Sequence, residues 1–357
     1  MIKNTAKYIP HPRSDGSGGL FWVKTGRLLA GSQASFQASS IFSKSKMAAF
    51  ERILRSFVRL GIGGLFLVRA SSELCPKICK ELNGLKDESG ALVEVPDRCR
   101  EQFAEVALKF GLKNADKVSL FVNRHFYAVS AGSNILPGGA VIGLPRWYLY
   151  QTKEDVENSG LRLGIDVSWN SEVGVTVAES FIPTQEIIAF TIGHELAHID
   201  QHLNFKFFFT CVPPLWLYLT YRLASCTRRL FKVHIVLDAL LKLCIFGLNY
   251  QAYRIVDRKL TYFAEFSADE ISAKCDPRMA KGGVEWCTTT LKRNVIQRAL
   301  LGETGKQIYS EEGNNLQRTA ISTHPQLTER LHKVKTILDT LSDSSLINKP
   351  ENSNTAN

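Results

Sequence analysis

Apolar and polar positions alternate with different periods along the chain, and the changes of period mark its elements. Residues 47–83 read as helix. From Lys117 the spacing shortens. Residues 118–122 and 126–129 read as two short strands around a turn at Asn123 and Arg124. Leu136-Pro137-Gly138-Gly139 interrupts the chain, and residues 140–144 form a further strand. Residues 165–169 and 173–177 alternate around Asn170 and Ser171, which predicts a hairpin. A helix then runs from about Gln185 to Leu203. Thr184 follows Pro183 and caps it, and Glu186 in the first turn suits the positive end of the helix dipole.

Two strongly apolar stretches follow. Residues 205–223 include Phe207, Phe208, Phe209, Leu215, Trp216 and Leu219, with Pro213 and Pro214 inside. Residues 233–248 are also apolar but carry His234, Asp238 and Lys242, the last two spaced to pair on one helix face. An ionisable side chain at mid-bilayer costs about 3 kcal/mol on insertion scales, so the second stretch is a marginal span. A buried helical pair is one reading. The length of the first stretch favours the other, a membrane hairpin over residues 205–250 with Arg228, Arg229 and Lys232 at its tip.

The formal net charge of +10 raises the question of a nucleic-acid surface, and its distribution answers it. Residues 1–60 hold ten Lys or Arg and two acids, a net of +8, which leaves +2 for the remaining 297 residues. The basicity belongs to the N-terminus, and no nucleic-acid partner is expected. Residues 1–46 are rich in Ser, Lys and Arg and nearly free of acids, the composition of an organellar transit segment. Lys24 and Arg27 break the apolar core that a secretory signal would need. Eight scattered cysteines argue against a disulfide scaffold and fit a reducing compartment. Residues 336–357 are taken as a disordered tail, Ser- and Asn-rich from Ser342, with Pro350.

The chemistry-bearing motif is His194-Glu195-Leu196-Ala197-His198. On a helix the two histidines lie one turn apart and reach one cation, while Glu195 contacts a water on that cation without binding it. Two imidazoles and a carboxylate suit Zn2+, with one position left for water. Glu195 is then the general base. Asn204 stands where a third histidine would be needed for the His-x-x-Gly-x-x-His arrangement. His202 lies two turns from His194, too far to close a tetrahedral site, and is assigned a supporting or capping role. The better third ligand is Glu265, with Asp269 one turn on placed to accept a hydrogen bond from a ligand imidazole. The segment from Tyr262 should start that helix. His324, before Pro325, is a candidate donor to the reacting carbonyl oxygen, with Arg330 bracing the region.

Together these residues resemble the HtpX-like, CAAX-prenyl-protease-like and Oma-type membrane metallopeptidases. The matching pieces are Asn134 with the Leu136–Gly139 turn, the 194–202 helix, Glu265 to Asp269, and His324-Pro325 with Leu327 and Arg330. The resemblance covers about residues 115–335. It implies an α+β gluzincin-type metallopeptidase domain, mostly helical with a small sheet, interrupted by the apolar membrane hairpin. It also implies that the strand after the turn (Ala140, Val141, Ile142, Gly143 and Leu144) pairs with an extended polypeptide substrate.

Residues 129–132, 136–137 and 139–145, with Gly282-Gly283-Val284-Glu285-Trp286 and residues 300–314, are similar to the transmembrane protein 177 family of mitochondrial proteins. That resemblance implies the mitochondrial inner membrane and partners in cytochrome c oxidase assembly. Two functions stay open: a zinc endopeptidase in mitochondrial protein quality control, or a non-catalytic assembly factor. The expected organisation is a transit-like segment over 1–46, a helical region over 47–115, the metallopeptidase-like domain over 116–335, and the tail.

Overall fold

The computed structural model describes residues 35–161, 168–200, 203–230, 235–316 and 324–347. The chain divides after Phe57 into two units. Residues 35–57 of the first unit lie in helix α1 (Ser35–Leu74), which continues past the boundary. The transit-like segment before residue 35, the strand proposed over 165–169 up to residue 167, His202, His234 and the last ten residues lie outside the described residues.

Pro76 opens α2 (Pro76–Asn83), where its missing N–H costs nothing. Helix α3 (Asp97–Lys109) follows, and then strands β1 (Val118–Asn123), β2 (Val129–Gly132) and β3 (Ala140–Pro145). The strands form one sheet in the order β1-β3-β2. β3 runs parallel to β1 and antiparallel to β2, with Val122 opposite Leu144 and Ser130 opposite Ile142. The turn at Asn123 exists, but it does not pair the strands on either side. The chain swings past the place that β3 later fills, held by Asn123, whose Nδ2 donates to the Tyr127 carbonyl at 2.9 Å.

This order corrects the substrate-strand expectation. Residues 140–144 are buried and hydrogen-bonded on both sides, so no further strand can pair with them. Among the described residues, β2 is the edge that faces the cleft.

Thr152 caps α4 (Lys153–Asn158) in a capping box with Asp155. The hairpin expected around Ser171 is instead a helix start. Ser171 accepts from the Gly174 amide at 3.0 Å and opens α5 (Glu172–Glu179), so local capping outweighs the alternating pattern.

Helix α6 (Gln185–Asp200) starts where its sequence indicates, with Thr184 accepting from Ile187 N–H and donating to Glu285. It is buried on nearly every side, and α3, β2 and β3 pack on it. Ile188, Ile192, Leu196 and Ile199 are fully buried, each contributing about 1.5–3 kcal/mol by leaving water.

Helix α7 (Leu203–Leu230) and the long α8 (Ile235–Cys275) run antiparallel. Trp216 donates to the Asn249 carbonyl and Thr227 to Asp238, so positions summing to 465 face one another. A helical hairpin therefore exists, but no helix among the described residues is long and apolar enough to cross a membrane. The physical reason is composition. Asp238 and Lys242 pair at 2.6 Å, and Asn249, Arg254 and Asp257 follow within the same helix. Tyr262 also does not begin a helix. It lies deep inside α8, which carries one arm of the hairpin and the acids of the site on a single rod.

Asp276 caps α9 (Pro277–Leu300) by accepting from Arg278 N–H at 2.7 Å. Helix α10 (Gly302–Ile308) and α11 (Leu327–Ile347) follow among the described residues. The expected tail from residue 336 is helical to Ile347, because Val334, Ile337, Leu338 and Leu341 pack around Phe190 and Ala280. Helices α8 and α9 close onto α6 through glycines. A Cβ on Gly193 would lie 2.6 Å from Ser272 Oγ, and one on Gly282 would lie 2.0 Å from the Glu186 carbonyl oxygen.

Candidate metal centre

Helix α6 presents His194 and His198 one turn apart, and α8 crosses it to present Glu265 and Asp269. The two imidazole Nε2 atoms are 3.1 Å apart. Glu265 Oε2 lies 3.6 Å from His194 Nε2, and its Oε1 lies 3.7 Å from His198 Nε2. In a tetrahedral centre with bonds of about 2.05 Å, neighbouring ligand atoms stand about 3.3 Å apart. One ligand atom from each of the three residues lies within 4.8 Å of the other two, close enough to surround a common point.

Around that point the charges favour a divalent cation. Glu195, Glu265 and Asp269 are buried acids, and Arg330 is the buried cation beside them. With the acids ionised and the imidazoles neutral, the cluster carries −2.

The ring of His194 is oriented from behind. Its Nδ1 lies 2.9 Å from Asp269 Oδ1, and Arg330 donates to both Asp269 oxygens at 2.6 and 2.7 Å. Burial alone would push the Asp269 carboxyl up, but Arg330 and His194 hold it well below the usual carboxylate range. Ionised Asp269 accepts, so His194 Nδ1 carries the hydrogen and Nε2 is free to bind metal. Burial alone would lower the His194 pKa, and Asp269 with Glu265 turns the net direction upward. Arg330 also lies 3.5 Å from Glu265 and stacks on Trp286 at 4.8 Å from the ring centroid.

Glu195 follows His194 on α6 and faces the same cavity. Burial raises its carboxyl pKa, opposed by the neighbouring His194 and by a hydrogen bond from Ser130 of β2. His324 Nε2 is 3.6 Å from Glu265 Oε1, with about half of its side chain exposed at the rim.

All of these groups, Asp269 apart, line one cavity of about 1130 Å³. The residues named from sequence as ligands, base, rim donor and brace are thus brought together, and residues 140–144 of β3 are not among the lining residues. Sequence reasoning missed Ser130, and also Trp286 as the platform of Arg330. Neither carries a local motif, and both reach the site from distant elements.

The M48 peptidase pattern matches residues 97–338. The chain belongs to peptidase family M48. The match begins at α3, which packs directly on α6. Within this M48 chain the His/His/Glu set is intact in three dimensions.

The chain is also similar to Transmembrane protein 177 from several vertebrates. Identity is 26% over 277 residues with the Homo sapiens protein, covering 76% of this chain and 88% of the relative. For Danio rerio it is 24% over 261 residues, covering 71% and 84%. For Mus musculus it is 25% over 277 residues, covering 76% and 88%. No solved structure matches the chain.

Proposed function

We propose that this M48 protein is a zinc-dependent endopeptidase acting on extended polypeptide segments. The observation that carries the reading is the convergence of His194, His198 and Glu265 at ligand spacing beside a buried carboxylate, Glu195, that is not itself part of the triangle. A zinc ion, when bound there, supplies Lewis acidity that lowers the pKa of a water and polarises the scissile carbonyl. Glu195 takes the proton from that water and delivers it to the leaving nitrogen. Ser130 fixes its orientation, and His324 donates to the carbonyl oxygen as negative charge develops. Arg330 and Asp269 hold the His194 ring and position it without touching substrate.

The cleft-side edge of β2 around Ser130 receives the substrate backbone. Ser130 lies on β2 and bonds Glu195, so an added strand would run past the base.

The basic, acid-poor N-terminus supports a mitochondrial location. The relatives' printed name and the exposed Leu215, Leu219, Leu243 and Phe246 of α7 and α8 support association with a membrane surface. The inner membrane and protein quality control are the setting proposed. The competing role is non-catalytic support of cytochrome c oxidase assembly.

Purified wild type and Glu195→Gln decide between them when tested on denatured casein. The variant should retain stoichiometric zinc and lose cleavage by at least about 1000-fold. Cleavage by Glu195→Gln at the wild-type rate overturns the mechanism. Absence of wild-type cleavage, with oxidase levels restored equally by wild type and variant in deletion cells, establishes the assembly role.

A further inference from the structure

Arg293 on α9 lines the same cavity as the metal centre but has no part in it. Its guanidinium lies 4.3 Å over the Phe181 ring centroid and 5.6 Å from that of Trp147. It donates one hydrogen bond, from Nη1 to the Ser180 carbonyl at 3.2 Å, and among the described residues no carboxylate lies within ion-pair range. Three other arginines packed into this unit have oxygen partners. Arg330 has Asp269 and Glu265, Arg278 has Glu105, and Arg98 donates to the carbonyls of Tyr148 and Tyr150.

A guanidinium has five N–H donors and stays charged at neutral pH. Burial pulls the Arg293 pKa down to about 10, still above any working pH. Stacking on two aromatic rings offsets part of the desolvation cost but leaves most donors unused. A partly buried cation with spare planar donors, open to a cleft, is complementary to a carboxylate.

The route from the centre to Arg293 follows β2. Ser130 stands at Glu195. Going back along the chain, Phe126 accepts from Trp147 Nε1 at 3.0 Å, and Trp147 lies under Arg293. A substrate strand antiparallel to β2 would carry its C-terminal side along this route, about four residues or on the order of 13 Å of extended chain.

We propose that Arg293 is a specificity residue that binds a substrate carboxylate within the four residues following the scissile bond. The carboxylate belongs either to an Asp or Glu side chain or to the substrate's own C-terminus. This rests on the endopeptidase reading above.

The test digests denatured casein with wild-type protein, Arg293→Gln and Arg293→Lys, and maps the cleavage sites by mass spectrometry. Matched peptides follow, built on the mapped sites. One pair carries Glu or Gln after the scissile bond, and the other ends in a free carboxylate or an amide. Wild type should favour the carboxylate member of at least one pair by about 10- to 100-fold in kcat/KM. The pair that responds names the source. Arg293→Gln should lose that preference through KM while cleaving the neutral peptides at the wild-type rate, and Arg293→Lys should recover part of it.

Equal use of both members of each pair by wild type overturns the proposal and leaves the endopeptidase reading intact. So does a preference unchanged in Arg293→Gln. If Arg293→Gln fails to fold, the wild-type preference and its partial retention in Arg293→Lys decide. If wild type cleaves nothing, the endopeptidase reading fails. Calorimetric binding of a casein-derived peptide as free acid and as amide, with its Glu and Gln forms, to the zinc-loaded protein then decides the Arg293 proposal. Binding that prefers the carboxylate form and loses the preference in Arg293→Gln supports it, and equal binding overturns it.

Discussion

His194 and Asp269 face each other across the α6–α8 contact, with the imidazole Nδ1 2.9 Å from the carboxylate. That single hydrogen bond joins the metal triangle to the buried Asp269–Arg330 ion pair, in which Asp269 is fully inaccessible. Asp269→Asn should weaken zinc binding by about 10- to 100-fold, read by competition with a chelating dye. It should also destabilise the protein, by up to about 3–5 kcal/mol, because Arg330 loses the charge it is doubly hydrogen-bonded to and keeps only Glu265 at 3.5 Å. An unchanged zinc affinity would show that the orientation of His194 does not depend on Asp269.

Gly282 meets the first turn of α6 with no room for a methyl group, since its Cβ would stand 2.0 Å from a backbone oxygen. Gly282→Ala should cost about 1–3 kcal/mol in urea unfolding. It should also lower zinc affinity, because α9 can relieve the clash only by moving off α6. Wild-type stability in this variant would mean that the helices are not in close contact there.

Recognition through the β2 edge uses backbone hydrogen bonds, so it is sensitive to a methyl group on a substrate amide. Peptides N-methylated one at a time on either side of the scissile bond should include positions where kcat/KM falls at least about 10-fold. If every N-methylated peptide is cut as fast as its parent, the substrate does not add to the sheet.

A pH effect follows from the charged contact between α3 and the start of α9. Glu105 lies 2.8 Å from Lys109 and 2.9 Å from Arg278, and Lys109 also contacts Asp276. Hydrogen bonds from Lys109 and Arg278 lower the Glu105 carboxyl below its ordinary value of 4.5. Burial would raise that of Asp276, but Lys109 and the Arg278 amide bring it below 3.8. Because both folded values are depressed, their stabilisation is complete above the ordinary values and is lost as pH falls through the folded ones. The urea midpoint of wild type should therefore drop more between neutrality and about pH 3 than that of the Glu105→Gln/Asp276→Asn double variant. Parallel acid limbs would remove this contact from the pH dependence.

Removal of zinc gives the most direct reading of the centre. Chelation should lower the melting temperature of wild type, and added zinc should restore it, with the size of the shift following zinc concentration. His198→Ala should show little or no shift. A wild-type melting temperature indifferent to chelator and zinc would argue that these three side chains hold no metal in solution.

The helix of the two histidines was legible because its signals are local: a capping threonine, an acid in the first turn and a ligand spacing of four. Glu265 and Asp269 were legible only once those histidines demanded a partner. Which strands pair was not legible, because alternation identifies strands but not neighbours, and β3, arriving later in sequence, takes the central position. The hairpin helices were found, but apolar density in short windows overstated their fitness to cross a membrane. Their polar residues lie along the same rods and pair with each other.

By itself the sequence determined the chemistry available: two imidazoles one turn apart, a carboxylate between them, and acids on a second helix, all fixed by residue type and helical period. Tertiary structure decided which carboxylate meets the imidazoles, which strand edge stays open, and that Arg293 faces the cleft without a carboxylate among the described residues. Those outcomes depend on packing between elements as far apart as β2, α6 and α9, where close approach is set by small residues and buried surface. No repeat or spacing along the chain encodes that approach.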